Sequence, residues 1–184
     1  PLEEVSREQR SNAKTVNFGI VYGVSAFGLS QQTDMSRKEA KAAIDGYFRT
    51  YPGIKSYMDD QVAFAREKGY VETITGRRRY LKDIESRNAV VRGHSERNAV
   101  NAPIQGSAAD IIKLAMIEID RSMRKEGLKS KMLLQVHDEL VFDVVKDELE
   151  VLQALVVEKM EAAVDLAVPM IAEVGTGKTW LEAH

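Results

Sequence analysis

Arg10-Ser-Asn-Ala-Lys14-Thr-Val-Asn-Phe18-Gly-Ile-Val-Tyr22-Gly23 places two cations and then two aromatics at four-residue intervals. On an α-helix each such step advances about 6 Å and rotates only about 40°, so Arg10, Lys14, Phe18 and Tyr22 share one face about 18 Å long. A nucleoside triphosphate is graded in the same sense. Its charged tail suits Arg and Lys, and its sugar and base suit flat apolar surface. An ordinary amphipathic helix would also show cations beside aromatics. The balance is shifted by Gln135-Val136-His137-Asp138-Glu139, where two adjacent carboxylates interrupt an apolar stretch. Cations, aromatics and paired carboxylates together point to phosphoryl-transfer chemistry.

Around these segments the chain has 184 residues, 44% of them hydrophobic, and no cysteine. That length supports one sizeable core or two small subdomains. The absence of cysteine excludes disulfides and thiolate metal sites and fits a cytoplasmic protein. No run approaches the roughly 18 apolar residues that would cross a bilayer, so no membrane partner is expected. The net charge of −2 conceals an asymmetry: residues 1–106 carry 17 Lys+Arg against 13 Asp+Glu, and residues 107–184 carry 9 against 15. Residues 74–97 hold 7 basic and 3 acidic side chains, including Arg77-Arg78-Arg79. A local basic strip matters more than overall charge for binding phosphates, although a solvated charged face has the same composition.

The spacing predicts a helix over 3–22, ending where Gly23 and Gly28 loosen the backbone. Ser36-Arg-Lys-Glu39 is a capping box opening a second helix to about Thr50. Pro52 and Gly53 start a third, which Gly69 ends. Residues 70–75 alternate as a short strand leading to the arginines. A helix over 86–102 bears Arg92, Arg97 and Asn101 and is interrupted or bent by Pro103. A long helix follows to Gly127, with Ile111, Leu114, Ala115 and Ile119 as its apolar face. Residues 131–136 and 140–145 form a β-hairpin with His137, Asp138 and Glu139 at its tip, a helix runs from 147 to about 165, and 169–174 is a final strand. Strands following helices without βαβ alternation define an α+β fold with an antiparallel sheet.

Adjacent carboxylates held by paired backbone form a platform for Mg²⁺, which takes one or two carboxylates and completes its shell with waters and substrate phosphates. A plain solvated turn also favours such residues. Lys14 and Arg10 suit a triphosphate whose leaving group gathers negative charge, and Lys14 could protonate the pyrophosphate. Arg97, Asn101 and Gln105 recur at four-residue intervals and combine a cation with two amides that donate and accept. Residues 172–179, Ala-Glu-Val-Gly-Thr-Gly-Lys-Thr, nearly match a phosphate-binding loop, but only five residues follow Thr179. A working loop of that kind needs a following helix aimed at the phosphates, so the match is expected to be coincidental.

With these residues in view, the chain resembles the C-terminal part of a family A DNA polymerase of the bacterial DNA polymerase I type, over essentially its whole length. The family's Arg-x3-Lys-x3-Phe-x3-Tyr-Gly signature is matched by Arg10, Lys14, Phe18, Tyr22 and Gly23, and its His-Asp-Glu signature by His137, Asp138 and Glu139. Asn101-Ala-Pro-Ile-Gln105-Gly and the ending Trp180-Leu-Glu-Ala-His184 are also similar. The resemblance implies fingers helices over 1–100, with the nucleotide-binding helix near 4–22, and a partial palm with an antiparallel sheet over 101–184 of a right-hand polymerase. It implies that Arg10 and Lys14 grip the incoming dNTP, that Phe18 packs on its sugar and base and disfavours dideoxynucleotides, and that Tyr22 sits near the template base. Asp138 would ligate Mg²⁺ with Glu139 assisting, and His137 would lie by the primer end and dNTP. Arg97, Asn101 and Gln105, supported by Arg92, would contact primer-template DNA in the minor groove, where shared acceptors allow geometry to be checked without reading sequence. The family's first palm motif, of the Asp-Tyr-Ser-Gln-Ile-Glu type, does not precede Arg10, and thumb and exonuclease domains are not present. The expectation is therefore a fragment of a bacterial, nucleoid-associated polymerase, with negligible polymerisation by the fragment alone. The alternative is a non-catalytic nucleotide or primer-template binding module.

Overall fold

The computed structural model describes residues 4–183, which divide into two compact units with the boundary between Gln105 and Gly106. Glu3, the first residue of the expected opening helix, lies outside the described residues, and the helix starts at Arg7.

The first unit begins with α1 (Arg7–Val21), opened by a capping box in which Ser6 accepts from the Gln9 amide and the Gln9 side chain accepts from the Ser6 amide. It ends beside Gly23 as expected, but Gly28 is not part of a loose segment. Gly23 turns the chain with φ +76°, and Ser25 then caps a further helix, α2 (Ala26–Gln32), with Gly28 inside it. A Cβ on Gly28 would lie 2.9 Å from Val24 Cγ2, so this glycine serves close packing where a loop was expected. The Ser36–Glu39 capping box opens α3 (Arg37–Thr50) as its spacing predicts, and its hydrogen bonds from Ser36 hold the Glu39 carboxyl below the usual carboxylate range. Pro52 starts α4 (Pro52–Lys68), which Gly69 closes in the left-handed conformation.

β1 (Tyr70–Glu72) is shorter than expected and pairs antiparallel with β2 (Arg78–Tyr80), so the arginine triplet itself begins a strand. Asn88 then caps α5 (Ala89–Glu126), accepting from the Val90 amide at 2.9 Å. Pro103 does not interrupt it. An internal proline costs a helix about 3 kcal/mol, and here Ala99, Ala102 and Pro103 itself are buried, which offsets that loss. The core of this unit gathers Ala65, Val71, Leu81, Ile84, Ala99 and Ala102, with Val62 and Phe64 against it. The Tyr57 hydroxyl donates to the Val100 carbonyl at 3.1 Å and ties α4 to α5, and burial pushes that phenol up.

The second unit contains the rest of α5, which Gly127 ends at φ +70°. Its buried face is Ile112, Ala115, Ile119 and Met123, one residue out of phase with the expected Ile111 and Leu114, and Leu114 is exposed. β3 (Lys131–Val136) and β4 (Glu139–Asp143) form an antiparallel hairpin in which Val136 pairs with Glu139. The Glu148 carboxylate, at the end of a single 3₁₀ turn, accepts from the Lys129 and Ser130 amides and from the Ser130 hydroxyl. Those bonds hold its carboxyl below the ordinary range. α6 (Leu149–Glu161) ends about one turn before the expected position. Leu152, Leu155 and Val156 pack from it onto Ala115, Ile119 and Met123.

The expected strand over 169–174 is absent: among the described residues the sheets are two two-stranded ribbons, β1-β2 and β3-β4. β-forming residues need a paired neighbour to satisfy their backbone, and Val168 and Ile171 here are 72% and 80% exposed. The fold is α+β with small antiparallel sheets, and among the described residues no helix is long and apolar enough to cross a membrane.

Candidate nucleotide and nucleic-acid site

In the first unit, the α1 face bears Lys14, Phe18 and Tyr22 toward an open groove of about 700 Å³, which Thr15, Ser25, Gln32 and Arg97 also line. The Phe18 and Tyr22 rings are 6.3 Å apart and 16° from parallel, and both are nearly half exposed. The Lys14 ammonium rests 5.9 Å from the centre of the Phe18 ring, within reach of its negative face. Arg10 lies exposed one turn earlier on α1 and does not line the groove. Polar and apolar ends are therefore both present along α1, and a flat aromatic pair is already arranged for stacking.

α5 supplies the opposite wall through Arg97. One turn further on, the Asn101 side-chain oxygen is buried without a hydrogen-bond partner. A buried acceptor without a donor costs free energy, so this amide is a point that a ligand or an ordered water would complete. Gln105, a turn beyond, is exposed. Arg92 is occupied differently: its guanidinium donates to the Ser86 carbonyl at 2.9 Å and lies 3.8 Å from Glu96, which also holds Arg66. It braces the start of α5.

In the second unit, His137 and Asp138 form the two-residue loop of the hairpin, and Glu139 is already in β4. The expectation that both carboxylates occupy the tip is thus corrected by one position, because pairing with Val136 draws Glu139 into the ladder. His137 has φ +53°, a sign of backbone seen at the first position of tight hairpin turns, and the Gln135 side-chain amide donates to its carbonyl at 2.7 Å. Asp138 is exposed and Glu139 partly so. As a donor set these are hard oxygen ligands on a braced backbone, which fits a cation that takes one or two protein carboxylates. Among the described residues no cluster of three His, Cys, Asp or Glu forms a complete metal cage.

Residues 172–179 have a structural use for their glycines. A Cβ on Gly175 would fall 1.7 Å from the Ala183 carbonyl oxygen, and one on Gly177 would fall 2.5 Å from Glu182 Cβ. The short helix α7 (Trp180–Ala183) lies where side chains would be, and the Lys178 amide donates to the Glu182 carboxylate. α2 and its groove residues Ser25 and Gln32 were not foreseen; the Ser25 cap before an apolar segment was the available signal.

The side chains on α1 and α5 set cations beside a stacked aromatic pair on a helical scaffold, and the second unit carries an acidic hairpin. The chain belongs to DNA polymerase family A, whose family model matches residues 1–182. It is 57% identical over 181 residues to DNA polymerase I of Streptococcus pneumoniae, covering 98% of this chain and 21% of that protein. Identity to DNA polymerase I of Pseudomonas aeruginosa is 50% over 184 residues, covering 100% of this chain and 20% of the relative. The chain therefore spans about a fifth of the length of these curated relatives. A solved structure, the POL domain of Pol1 from M. smegmatis in complex with DNA primer-template and dNTP, superimposes with a TM-score of 0.96 at 48% identity, covering all of this chain and 32% of that one.

Proposed function

We propose that this chain is the fingers and part of the palm of a DNA-directed DNA polymerase that acts in replication and repair, with the fingers over 1–100 and the partial palm over 101–184. The reaction is attack of a primer 3′-oxygen on the α-phosphorus of a dNTP, with a new phosphodiester formed and the bond to pyrophosphate broken. The observation that carries this reading is the ordered Lys14, Phe18 and Tyr22 face on the groove it shares with Arg97, in a chain of this family.

In this reading Arg10 and Lys14 bind the triphosphate, and Lys14 delivers a proton to the leaving pyrophosphate. Fixed cations near a developing negative charge stabilise the transition state most when they are already in place. Phe18 packs on the sugar and base, Tyr22 ends the stack beside the template base, and His137 approaches the dNTP and primer end. Arg97, Asn101 and Gln105 track primer-template DNA, and Arg92 holds their helix. Asp138, assisted by Glu139, would hold Mg²⁺, which when bound supplies Lewis-acid activation of the 3′-oxygen and charge neutralisation on the phosphates. The protein is cytoplasmic and associates with the nucleoid.

The test has two parts. A fluorescent dNTP should bind this chain, and Lys14→Ala should weaken that binding about tenfold, the scale of one hydrogen bond to a charged group. A longer polymerase that includes the family's first palm motif should extend a primer, and Asp138→Ala should abolish extension without unfolding it. Unchanged nucleotide binding in Lys14→Ala, or full extension by Asp138→Ala, would refute the assignment. The alternative, a non-catalytic nucleotide or primer-template binding module, predicts binding with no extension in the longer protein.

A further inference from the structure

We propose that the outward face of the β1-β2 hairpin is a stacking platform for the bases of single-stranded DNA, separate from the groove on α1. Residues facing one side of this ribbon alternate with those facing the core. Val71 faces inward and is buried, whereas Tyr70, Glu72, Arg78 and Tyr80 share the other face through the pairs Tyr70–Tyr80 and Glu72–Arg78.

Those four side chains are locked together. The Arg78 guanidinium lies 4.5 Å from the centre of the Tyr70 ring and is held there by Glu72 at 2.7 Å. Tyr80 meets Tyr70 at 5.6 Å and 62°, and Tyr70 in turn meets Phe64 of α4 edge-on at 5.9 Å. A ladder of rings thus rises from the core and ends in Tyr80, which is 65% exposed. A single exposed tyrosine is ordinary on a protein surface. This one is braced at one edge with much of its ring open to solvent, so little side-chain freedom remains to be lost when a base stacks on it. Its surroundings select the occupant: Arg78 stands on the same face, while Arg79, exposed on the opposite face of the strand, and Arg77, exposed just before it, add positive charge around the hairpin, in a stretch of 7 basic and 3 acidic residues over 74–97. An aromatic face among cations suits unpaired nucleotides, whose bases are free to stack and whose phosphates need positive charge. A duplex keeps its bases stacked internally and has no use for the ring.

The inference shares the nucleic-acid partner of the proposed function but not its groove. Fluorescein-labelled oligo(dT) of about 16 nucleotides would be titrated with the chain by anisotropy at low salt. Tyr80→Ala should weaken binding five- to tenfold, Tyr80→Phe should stay within twofold of wild type, and a blunt duplex of equal length should respond to neither. Equal affinity of Tyr80→Ala, equal losses in both variants, or an equal loss on duplex would overturn the proposal. Photo-crosslinking of 5-iodouracil oligonucleotide to the unmutated chain removes any dependence on variant folding: an adduct mapped to Tyr80 supports the platform, and adducts confined elsewhere refute it. Nucleotide binding at Lys14 is measured separately, so failure here leaves that assignment standing.

Discussion

Arg97 passes so close to Gly23 that a Cβ at position 23 would lie 3.2 Å from Arg97 Cγ. The turn at the end of α1 and the cation that faces it across the groove are therefore fitted to each other. Gly23→Ala meets two penalties, a left-handed backbone at φ +76° and that contact. The first alone costs about 1–2 kcal/mol. Urea denaturation should show a loss of at least this size, and fluorescent dNTP binding should weaken as Arg97 is displaced.

Glu39 and Glu148 both have carboxyls lowered by hydrogen bonds, the first from Ser36 and the second chiefly from Ser130 and Lys129. A lowered folded-state value means that each contributes stability above its unfolded value near 4.5 and loses it as pH falls through the folded value. Urea midpoints recorded from pH 7 down to pH 3 should fall in the acid range for wild type. Glu148→Gln should start lower and fall less.

Gly175→Ala should force α7 away from the segment it lies against, since the new Cβ would overlap the Ala183 carbonyl. Trp180, the sole tryptophan, sits in α7 and reports this directly. Its emission should shift in Gly175→Ala and stay unchanged in Lys178→Ala. Lys178→Ala should also leave any ATP hydrolysis unaffected.

Phe18→Ala should remove the stacked pair with Tyr22 and the ring beneath Lys14. Phe18 is 49% exposed, so the fold should lose little. Binding of a fluorescent dNTP should weaken severalfold, while free tripolyphosphate, which has no base or sugar, should compete with the same affinity as before. An equal loss for both ligands would place Phe18 outside the base and sugar contact.

Local chemistry made much of this fold legible. Ser36 with Glu39, Pro52, Gly69 and Gly127 act within one or two turns, and each helix boundary they specify is observed. The hairpin around His137 followed from two β-runs separated by a short polar gap. What escaped depends on neighbours distant in sequence. Gly28 reads as a breaker until Val24 is seen pressing on it, and Pro103 reads as a break until its burial is known. Arg78–Tyr80 becomes a strand because β1 lies beside it, and 169–174 fails to become one because nothing does. At the groove, the face on α1 was visible in its spacing, whereas α2 and the close fit of Arg97 to Gly23 required coordinates.

His137 is the sole residue other than glycine with positive φ among those described. Asparagine or glycine would relax there, and a redesign aimed only at thermal robustness would choose one of them, gaining up to about 1 kcal/mol. Such optimisation would erase an imidazole beside the acidic pair. Deep mutational libraries sorted for folding of this chain and for primer extension by a longer polymerase that includes the family's first palm motif should therefore disagree at position 137, and the size of that disagreement would measure what the side chain is worth.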